Sequence, residues 1–281
     1  MKVIKAEYLG FCTGVDLAIK TARAAVKEAE AQGRSLYFYG ELVHNTYISE
    51  QFAKHGAVVI RSTEEAREPG VLVIRAHGIT DAMRESFLKK GFEIIDTTCP
   101  VVLKGQRLVR ESEEPVLVFG YPGHSEVISL LGSAKGECRL VSVPEDLDKL
   151  DKETRYRVVV QTTFSQKVLN NLLEKADKIG LKLTLANSIC SASVMRRKGV
   201  SELKGKVEAF VVVGDKKSAN TLELVETAKR LEVPVFFVDG VEKIPEEVFS
   251  FGSVGLTAGA STPAVLYDGV CRQLEEGPYV D

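Results

Sequence analysis

The chain is arranged around the stretch Glu93-Ile94-Ile95-Asp96-Thr97-Thr98-Cys99-Pro100, a short apolar strand that leads through a polar turn to a cysteine and a proline. Two further segments repeat this arrangement and end in Gly10-Phe11-Cys12 and Ser188-Ile189-Cys190. The cysteines at positions 12, 99 and 190 are therefore almost equally spaced, each just after a strand and just before a helix. This pattern predicts a threefold repeat whose cysteines meet at one metal centre.

Composition excludes several classes of protein. The 281 residues are 44% hydrophobic and 27% charged, which is ordinary for a chain that buries a sizeable core. A net charge of −2 provides no basic surface for nucleic acid or an anionic membrane. No apolar run has the length of a membrane span, and the first residues predict a strand rather than a signal peptide. Because five thinly spread cysteines form no disulfide framework, we expect a cytoplasmic protein.

The hydrophobic pattern predicts an α/β fold. Short runs of Val, Ile and Phe alternate with amphipathic helical segments, which is typical of parallel sheets buried on both faces. We predict three related α/β domains, at residues 12–98, at 99–189, and at 190–281 together with 1–11. The third repeat ends one strand short, and we expect Val3 to Glu7 to supply that strand.

Several helix boundaries follow from capping signals. Thr13 is expected to cap the first helix, and a polar helix is expected from Lys104 to Glu113. Near the end of the chain, Pro263 suits the first helical position, with Ser261 or Thr262 as the cap.

Polar residues follow the strands in two loops of every repeat. Functional groups of parallel sheets gather at the carboxyl ends of strands, so these loops are the candidate site. The first loops carry His44, then His124 with Glu126 in the segment Gly120 to Val127, and then Ser218 with Asn220. The second loops carry His77, Thr162 and Ser261.

Three repeated cysteines indicate a thiolate metal centre. Cysteine sulfur favours zinc, copper(I) or iron–sulfur clusters, but structural zinc takes four ligands, often in close Cys-x-x-Cys pairs, and the chain has no such pair. A cubane cluster with three cysteine ligands keeps one iron open to a substrate oxygen. The alternative is three buried structural cysteines, which is the interpretation we give to Cys138 and Cys271 outside the repeat.

The loops also indicate an anion site. Imidazoles, hydroxyls and amides donate to phosphate oxygens, and helix N-termini behind the loops add backbone N–H groups, so a small diphosphate would suit them. Glu126 is a carboxylate two residues after His124 in the same first loop, and shielding from water would raise its pKa enough for proton donation. The alternative is an ordinary solvated loop glutamate.

Several motifs together resemble one known family, the IspH/LytB family of 4-hydroxy-3-methylbut-2-enyl diphosphate reductases. They occur in the family's order over nearly the whole chain: Gly10-Phe11-Cys12-x-Gly14-Val15, Glu41-Leu42-Val43-His44-Asn45, Ala76-His77-Gly78, Asp96-Thr97-Thr98-Cys99-Pro100, Gly123-His124-Ser125-Glu126-Val127, Gln161-Thr162-Thr163, Ile189-Cys190 and Thr257-Ala258-Gly259-Ala260-Ser261-Thr262-Pro263. The resemblance implies a trefoil of three pseudo-threefold-related α/β domains around a central iron–sulfur site.

The resemblance also implies a reaction and its residues. An allylic hydroxy-diphosphate would lose its hydroxyl in a two-electron, two-proton reduction to isopentenyl and dimethylallyl diphosphates, the last step of the non-mevalonate isoprenoid pathway. Electrons would come from ferredoxin or flavodoxin. A 4Fe-4S cluster whose open iron binds the substrate hydroxyl would be held by Cys12, Cys99 and Cys190. The diphosphate would be bound by His44, His77, His124, Ser218, Asn220 and Ser261. The catalytic group would be Glu126 as proton donor, Thr162 to orient the hydroxyl or relay the proton, and His124.

The chain departs from the family pattern in two places. Lys217-Ser218-Ala219-Asn220 replaces the usual Asn-Ser-Ser-Asn, so one phosphate-facing hydroxyl is absent and a lysine stands nearby. After Cys190, Ala192-Ser193 and Arg196-Arg197 replace Ala-Thr and Arg-Gln. Two alternatives therefore stay open: a divergent paralogue that acts on another small anion, and an iron–sulfur redox sensor that catalyses nothing.

Overall fold

Twelve β-strands alternate with nine α-helices along residues 1–278, the part of the chain that this structure, a computed structural model, describes. The strands are β1 (Lys2–Lys5), β2 (Leu36–Tyr39), β3 (Val58–Ile60), β4 (Val71–Ile74), β5 (Glu93–Asp96), β6 (Val116–Phe119), β7 (Cys138–Val141), β8 (Arg155–Val160), β9 (Lys182–Leu185), β10 (Ala209–Val213), β11 (Val235–Val238) and β12 (Ser253–Ala258). The helices are α1 (Thr13–Ala31), α2 (Thr46–Ala53), α3 (Asp81–Lys89), α4 (Pro100–Arg110), α5 (Ser125–Leu131), α6 (Gln166–Ile179), α7 (Ser191–Ser201), α8 (Ala219–Lys229) and α9 (Ala264–Glu276). No helix among these described residues is both long and apolar enough to cross a membrane.

The strands form three parallel sheets with one shared topology. Their orders are β3-β2-β4-β5, β7-β6-β8-β9 and β11-β10-β12-β1. Strand β1 takes the place of a strand after β12, and it pairs Val3 with Val254 and Ile4 with Gly255 in parallel register. The predicted closure of the third repeat by the first strand is therefore confirmed, although the strand is Lys2–Lys5 rather than Val3 to Glu7. The α/β class with small parallel sheets is confirmed as well.

The chain divides into two compact units. The first comprises Met1–Asp16, Val43–Glu50 and the chain from Ser191 onward, and it contains the sheet of β1, β10, β11 and β12. The second comprises Leu17–Leu42 and Gln51–Cys190, and it contains the other two sheets. The three domains and their boundaries stay a prediction, and positions 279–281 of the third lie outside the described residues.

Each unit has its own apolar core around its strands. In the second unit, Phe119, Val160 and Phe164 are fully buried, and in the first unit Val211 and Leu256 are. Full burial of such a side chain stabilises the folded state by about 1.5–3 kcal/mol. Strands that are covered on both faces carry apolar side chains. The polar groups that could bind a ligand or take part in catalysis therefore lie at the strand ends.

Two helices near prolines begin at positions other than those predicted. Helix α4 begins at Pro100 and ends at Arg110, so the predicted range from Lys104 to Glu113 was wrong at both ends. A proline at the first helical position costs no hydrogen bond, since that N–H has no partner within a helix. Pro263 itself caps α9, and the Thr262 hydroxyl donates to the Val213 carbonyl at 3.2 Å, so the predicted cap was also wrong.

Two other helix starts differ from the prediction. Thr13 is the first residue of α1 rather than its cap, because the first helical hydrogen bond runs from Asp16 N–H to the Cys12 carbonyl at 2.9 Å. Glu126, predicted in a loop, lies in the first turn of α5 behind a His124 cap. Because α5 begins only a few residues after β6, the sequence pattern did not show where this helix starts.

Candidate active site

Each repeated cysteine lies directly before a helix and donates its N–H to a second loop. Cys99 donates to the Ala76 carbonyl at 3.0 Å, and Cys190 donates to the Thr162 carbonyl at 2.9 Å. In the first unit, Cys12 donates to the Ala260 carbonyl at 3.3 Å. The three repeats therefore place their cysteines by the same backbone contact.

The thiols are suited to metal ligation. None of the five cysteines forms a disulfide, and the three repeated ones are partly exposed. Each repeated cysteine stands directly before the first residue of a helix, which is Thr13, Pro100 or Ser191. Cys138 lies half-buried on the edge strand β7, and Cys271 is buried in α9, as predicted for structural cysteines.

The approach to Cys12 is shaped by a glycine. Gly10 has a φ of +73°, and a Cβ there would lie 2.4 Å from the Tyr267 ring. Only glycine fits this turn, because another residue would be strained and would displace the ring. A cavity of about 330 Å³ lies beside the turn and is lined in part by Phe11, Cys12 and Tyr267.

The residue three positions before a cysteine orders the chain at two of the sites. Asp96 Oδ1 accepts the N–H of Thr98 at 2.9 Å, just before Cys99. Asn187 pairs with the backbone of Val160, accepting its N–H at 2.7 Å and donating to its carbonyl at 2.9 Å. Asn187 therefore joins the end of β8 to the turn that leads to Cys190, a role that the sequence analysis missed.

Glu126 and Thr162 form a buried polar contact in the second unit. The Thr162 N–H donates to Glu126 Oε1 at 2.8 Å, and the Thr162 hydroxyl donates to Oε2 at 2.6 Å. Only 2% of Glu126 is exposed. Burial raises the pKa of Glu126 to about 7, although both hydrogen bonds from Thr162 oppose this rise. The carboxyl group can therefore carry a proton near neutral pH.

His124 caps the helix that carries Glu126. Its Nδ1 accepts the Glu126 N–H at 3.1 Å, so this nitrogen carries no hydrogen and a neutral ring has its hydrogen on Nε2. The rings of His77 and His124 meet edge to face with centroids 5.4 Å apart. Within the second unit, the structure therefore brings together His77, His124, Glu126 and Thr162, as the sequence predicted.

Ser129 connects the His77 loop to α5, and the sequence analysis did not identify it. Its buried hydroxyl lies 2.8 Å from the His77 carbonyl and 2.9 Å from the Glu126 carbonyl, both acceptors for its single hydrogen. Its position three residues after Glu126, on the inner face of a helix, is the one signal that could have indicated it.

The predicted polar residues of the first unit are fixed by their neighbours. Ser218 caps α8 through the Thr221 N–H, and Asn220 Oδ1 accepts the Ala260 N–H at 2.9 Å. The Ser261 hydroxyl donates to the His44 carbonyl at 3.1 Å. These contacts bring the first loops that carry His44 and Asn220 to the second loop that carries Ser261. The sequence predicted this, because the three residues follow strand ends at corresponding positions of the repeats.

Two further polar residues of this unit were missed as site members. Asn220 Nδ2 donates to the Ser193 hydroxyl at 3.3 Å, and Ser193 is buried three residues after Cys190. Asp215 lies two residues after the end of β10, a position that could have marked it, and accepts hydrogen bonds from Thr46. Convergence of the three repeated cysteines on one metal centre stays a prediction.

These features define the class, a repeated α/β protein with thiols, imidazoles and one buried carboxyl group at the carboxyl ends of its strands. The family model of LytB protein matches residues 3–275. The chain belongs to the LytB protein family, and the resemblance inferred from its motifs is confirmed.

Relatives cover the chain almost completely. A 4-hydroxy-3-methylbut-2-enyl diphosphate reductase of Treponema denticola is 33% identical over 99% of this chain and 100% of its own length. The reductase of the same name from Solidesulfovibrio magneticus is 32% identical over 98% of this chain and 99% of its own length.

Solved structures match over the same length. The E-1-hydroxy-2-methyl-but-2-enyl-4-diphosphate reductase of Plasmodium falciparum has a TM-score of 0.89 and 27% identity, over 96% of this chain and 87% of its own. A structure of (E)-4-hydroxy-3-methyl-but-2-enyl diphosphate reductase, described as the terminal enzyme of the non-mevalonate pathway, has a TM-score of 0.73 and 29% identity over 98% of this chain and 100% of its own.

Proposed function

We propose that this protein reduces 4-hydroxy-3-methylbut-2-enyl diphosphate to isopentenyl and dimethylallyl diphosphate, the last step of the non-mevalonate pathway. The overall reaction takes up two electrons and two protons and releases the allylic hydroxyl as water. Full-length similarity to reductases of this name supports the proposal. The observation that carries it is the buried Glu126 carboxyl group, since a pKa of about 7 gives a proton donor at neutral pH.

The thiols of Cys12, Cys99 and Cys190, none of them in a disulfide, fit the three protein ligands of a 4Fe-4S cluster. Each lies at a helix N-terminus, is partly exposed and has its backbone fixed by a second loop. When bound, such a cluster supplies electrons and a Lewis-acidic iron without a protein ligand. A cytoplasmic ferredoxin or flavodoxin would provide the electrons, and a reducing cytoplasm would keep the thiols reduced.

Glu126 would deliver the proton through Thr162. The Thr162 hydroxyl donates to Oε2 at 2.6 Å, and once Glu126 is protonated on Oε2 this contact would reverse, so that the hydroxyl receives the carboxyl proton as it passes on its own. The second contact, from the Thr162 N–H, fixes the carboxyl group so that this route persists. Burial excludes bulk water, which would otherwise exchange with the transferred proton.

The diphosphate would be bound by donors from several loops. In a neutral His124 ring Nε2 is the donor, and the contacts of Asn220 fix its side chain before an anion arrives. Fixed donors lose little conformational entropy on binding, which favours affinity. The proposed set is His44, His77, His124, Ser218, Asn220 and Ser261.

The test uses protein purified and cluster-loaded without oxygen, with a chemical electron donor and the allylic diphosphate. We expect turnover by the wild type, and a loss of about 10²–10⁴-fold in kcat for Glu126→Gln, the usual range for a general acid. The iron–sulfur absorbance of Glu126→Gln should match that of the wild type. Binding of the diphosphate by loaded wild-type protein without any turnover would contradict the reductase assignment, and an unchanged kcat in Glu126→Gln would contradict the role of Glu126.

A further inference from the structure

Asp215 joins two loops of the first unit that are far apart in the sequence. Its Oδ2 accepts the Thr46 N–H at 2.8 Å and the Thr46 hydroxyl at 2.7 Å, across 169 residues of chain. Its Oδ1 accepts the Lys217 N–H at 2.9 Å. Both oxygens are thus used in binding the chain, and the contacts are charge-assisted, the stronger class of hydrogen bond.

The two joined loops both carry proposed anion ligands. Thr46 follows His44 by two residues, and Asp215 precedes the Ser218 cap of α8 by three. A separate contact from the Ser261 hydroxyl reaches the His44 carbonyl. His44 is therefore fixed from both sides, by Ser261 at its own carbonyl and by Asp215 at Thr46.

A carboxylate beside an anion site requires a structural explanation, because its negative charge repels the anion. Burial alone would raise the pKa of Asp215, but the hydrogen bonds from Lys217 and Thr46 and the lysine charge lower the pKa below its usual value. The carboxylate is thus ionised and compensated by groups of the protein. Its contacts are to the start of α2 and to the loop before α8, which is the pattern expected of a residue that sets loop geometry.

We propose that Asp215 is a positioning residue that fixes the His44 loop against the Ser218 loop for anion binding. The identity of the anion as a diphosphate rests on the proposed function. The geometric part of the proposal does not, because it concerns the His44 loop in the protein without substrate.

The first measurement is amide hydrogen exchange of residues 44–50 in the cluster-loaded protein without ligand. We expect Asp215→Ala to speed this exchange at least about tenfold, because the acceptor of the Thr46 N–H is lost. Asp215→Asn, which keeps an oxygen acceptor, should give an intermediate rate. The matched control is Asp268→Asn, which removes a carboxylate paired with Lys5 in the same unit and should leave the exchange unchanged.

The second measurement is the affinity for inorganic pyrophosphate, followed by calorimetry, with KM and kcat for the allylic diphosphate. Asp215→Ala should weaken pyrophosphate about tenfold and raise KM, with kcat changed less than about threefold, because Asp215 touches no reacting group. As a single substitution, Thr46→Val should weaken pyrophosphate binding. Added to Asp215→Ala, it should weaken binding no further, whereas Thr46→Ser alone should behave as the wild type.

Unchanged exchange and unchanged pyrophosphate affinity in Asp215→Ala would overturn the proposal. If Asp215→Ala does not fold, Asp215→Asn combined with Thr46→Val provides the same comparison. Absence of turnover in the wild type would contradict the reductase assignment alone, because the exchange of residues 44–50 still tests Asp215.

Discussion

The Thr162 hydroxyl lies 2.6 Å from Oε2 of Glu126, and the Thr162 N–H donates to the other oxygen at 2.8 Å. Two contacts from one residue thus orient a carboxyl group that is almost wholly removed from water. Burial and hydrogen bonding act on its pKa in opposite directions, and burial dominates. This pair of residues makes the site testable by pH as well as by mutation.

The buried Glu126 should make the free energy of unfolding depend on pH. An exposed glutamate titrates near 4.5, whereas the folded-state pKa of Glu126 is about 7, so the folded state keeps the proton longer. The contribution of Glu126 to the free energy of unfolding is complete below about pH 4.5, decreases as the pH rises, and is lost above about pH 7. At about 1.4 kcal/mol per pKa unit, roughly 3 kcal/mol is lost across this window.

Urea unfolding of wild type and Glu126→Gln at pH 5 and pH 8 measures this contribution. The wild type should lose more stability between the two pH values than Glu126→Gln, which has no proton to release there. The same loss in both proteins would show that Glu126 does not titrate in this window.

Removal of the Thr162 hydroxyl should raise the pKa of Glu126 further, because its hydrogen bond favours the ionised form. We expect Thr162→Val to move the corresponding limb of the pH profile of kcat to higher pH and to lower kcat by about 10²-fold, since one proton route is lost. Thr162→Ser keeps the hydroxyl and should retain the wild-type profile. An unshifted profile in Thr162→Val would exclude Glu126 as the titrating group.

Ser129→Ala should disturb the His77 loop, because the Ser129 hydroxyl lies against the His77 carbonyl. We expect a loss of about 1 kcal/mol of stability, the usual value of one hydrogen bond, and a higher KM with kcat little changed. The matched control is Ser133→Ala, whose hydroxyl donates to the Ser129 carbonyl one helical turn away. A KM that rises equally in both variants would assign the effect to the helix rather than to His77.

Ala219→Ser tests whether the chain is adapted to the allylic diphosphate. Ala219 is the first residue of α8, directly after the Ser218 cap, so an added hydroxyl would stand beside the proposed anion ligands. If the allylic diphosphate is the natural substrate, the variant should bind it about three- to tenfold more tightly, as one added hydrogen bond allows. No gain, or a loss, in calorimetric affinity would favour the paralogue with another small anion.

Much of the fold was predictable because its signals are local. The runs Val71–Ile74, Val116–Phe119 and Ala209–Val213 are apolar throughout, and each became the strand that the pattern predicted. Counting elements in the repeats was enough to predict that β1 completes the third sheet, because parallel sheets of one topology need the same number of strands.

The helix starts were less predictable than the strands. Pro100 and Pro263 both favour a helix start, yet one is the first residue of its helix and the other is the cap. Whether the proline is the cap or the first helical residue depends on the hydrogen-bond partners of the residues just before the helix. Before α9, the Val213 carbonyl accepts the hydrogen bond of the Thr262 hydroxyl. That acceptor lies on another strand and leaves no mark near residue 263.

The candidate residues at the strand ends could be named from the chain, since parallel sheets gather polar groups there. Their chemical state required the folded structure. Burial in the packed second unit raises the pKa of Glu126 to about 7, against the hydrogen bonds from Thr162, 36 positions away. Hydrogen bonds also join Asp215 to Thr46, 169 positions apart. Burial and hydrogen bonding act through space, and no residue pattern along the chain records the partners that a packed fold brings into contact.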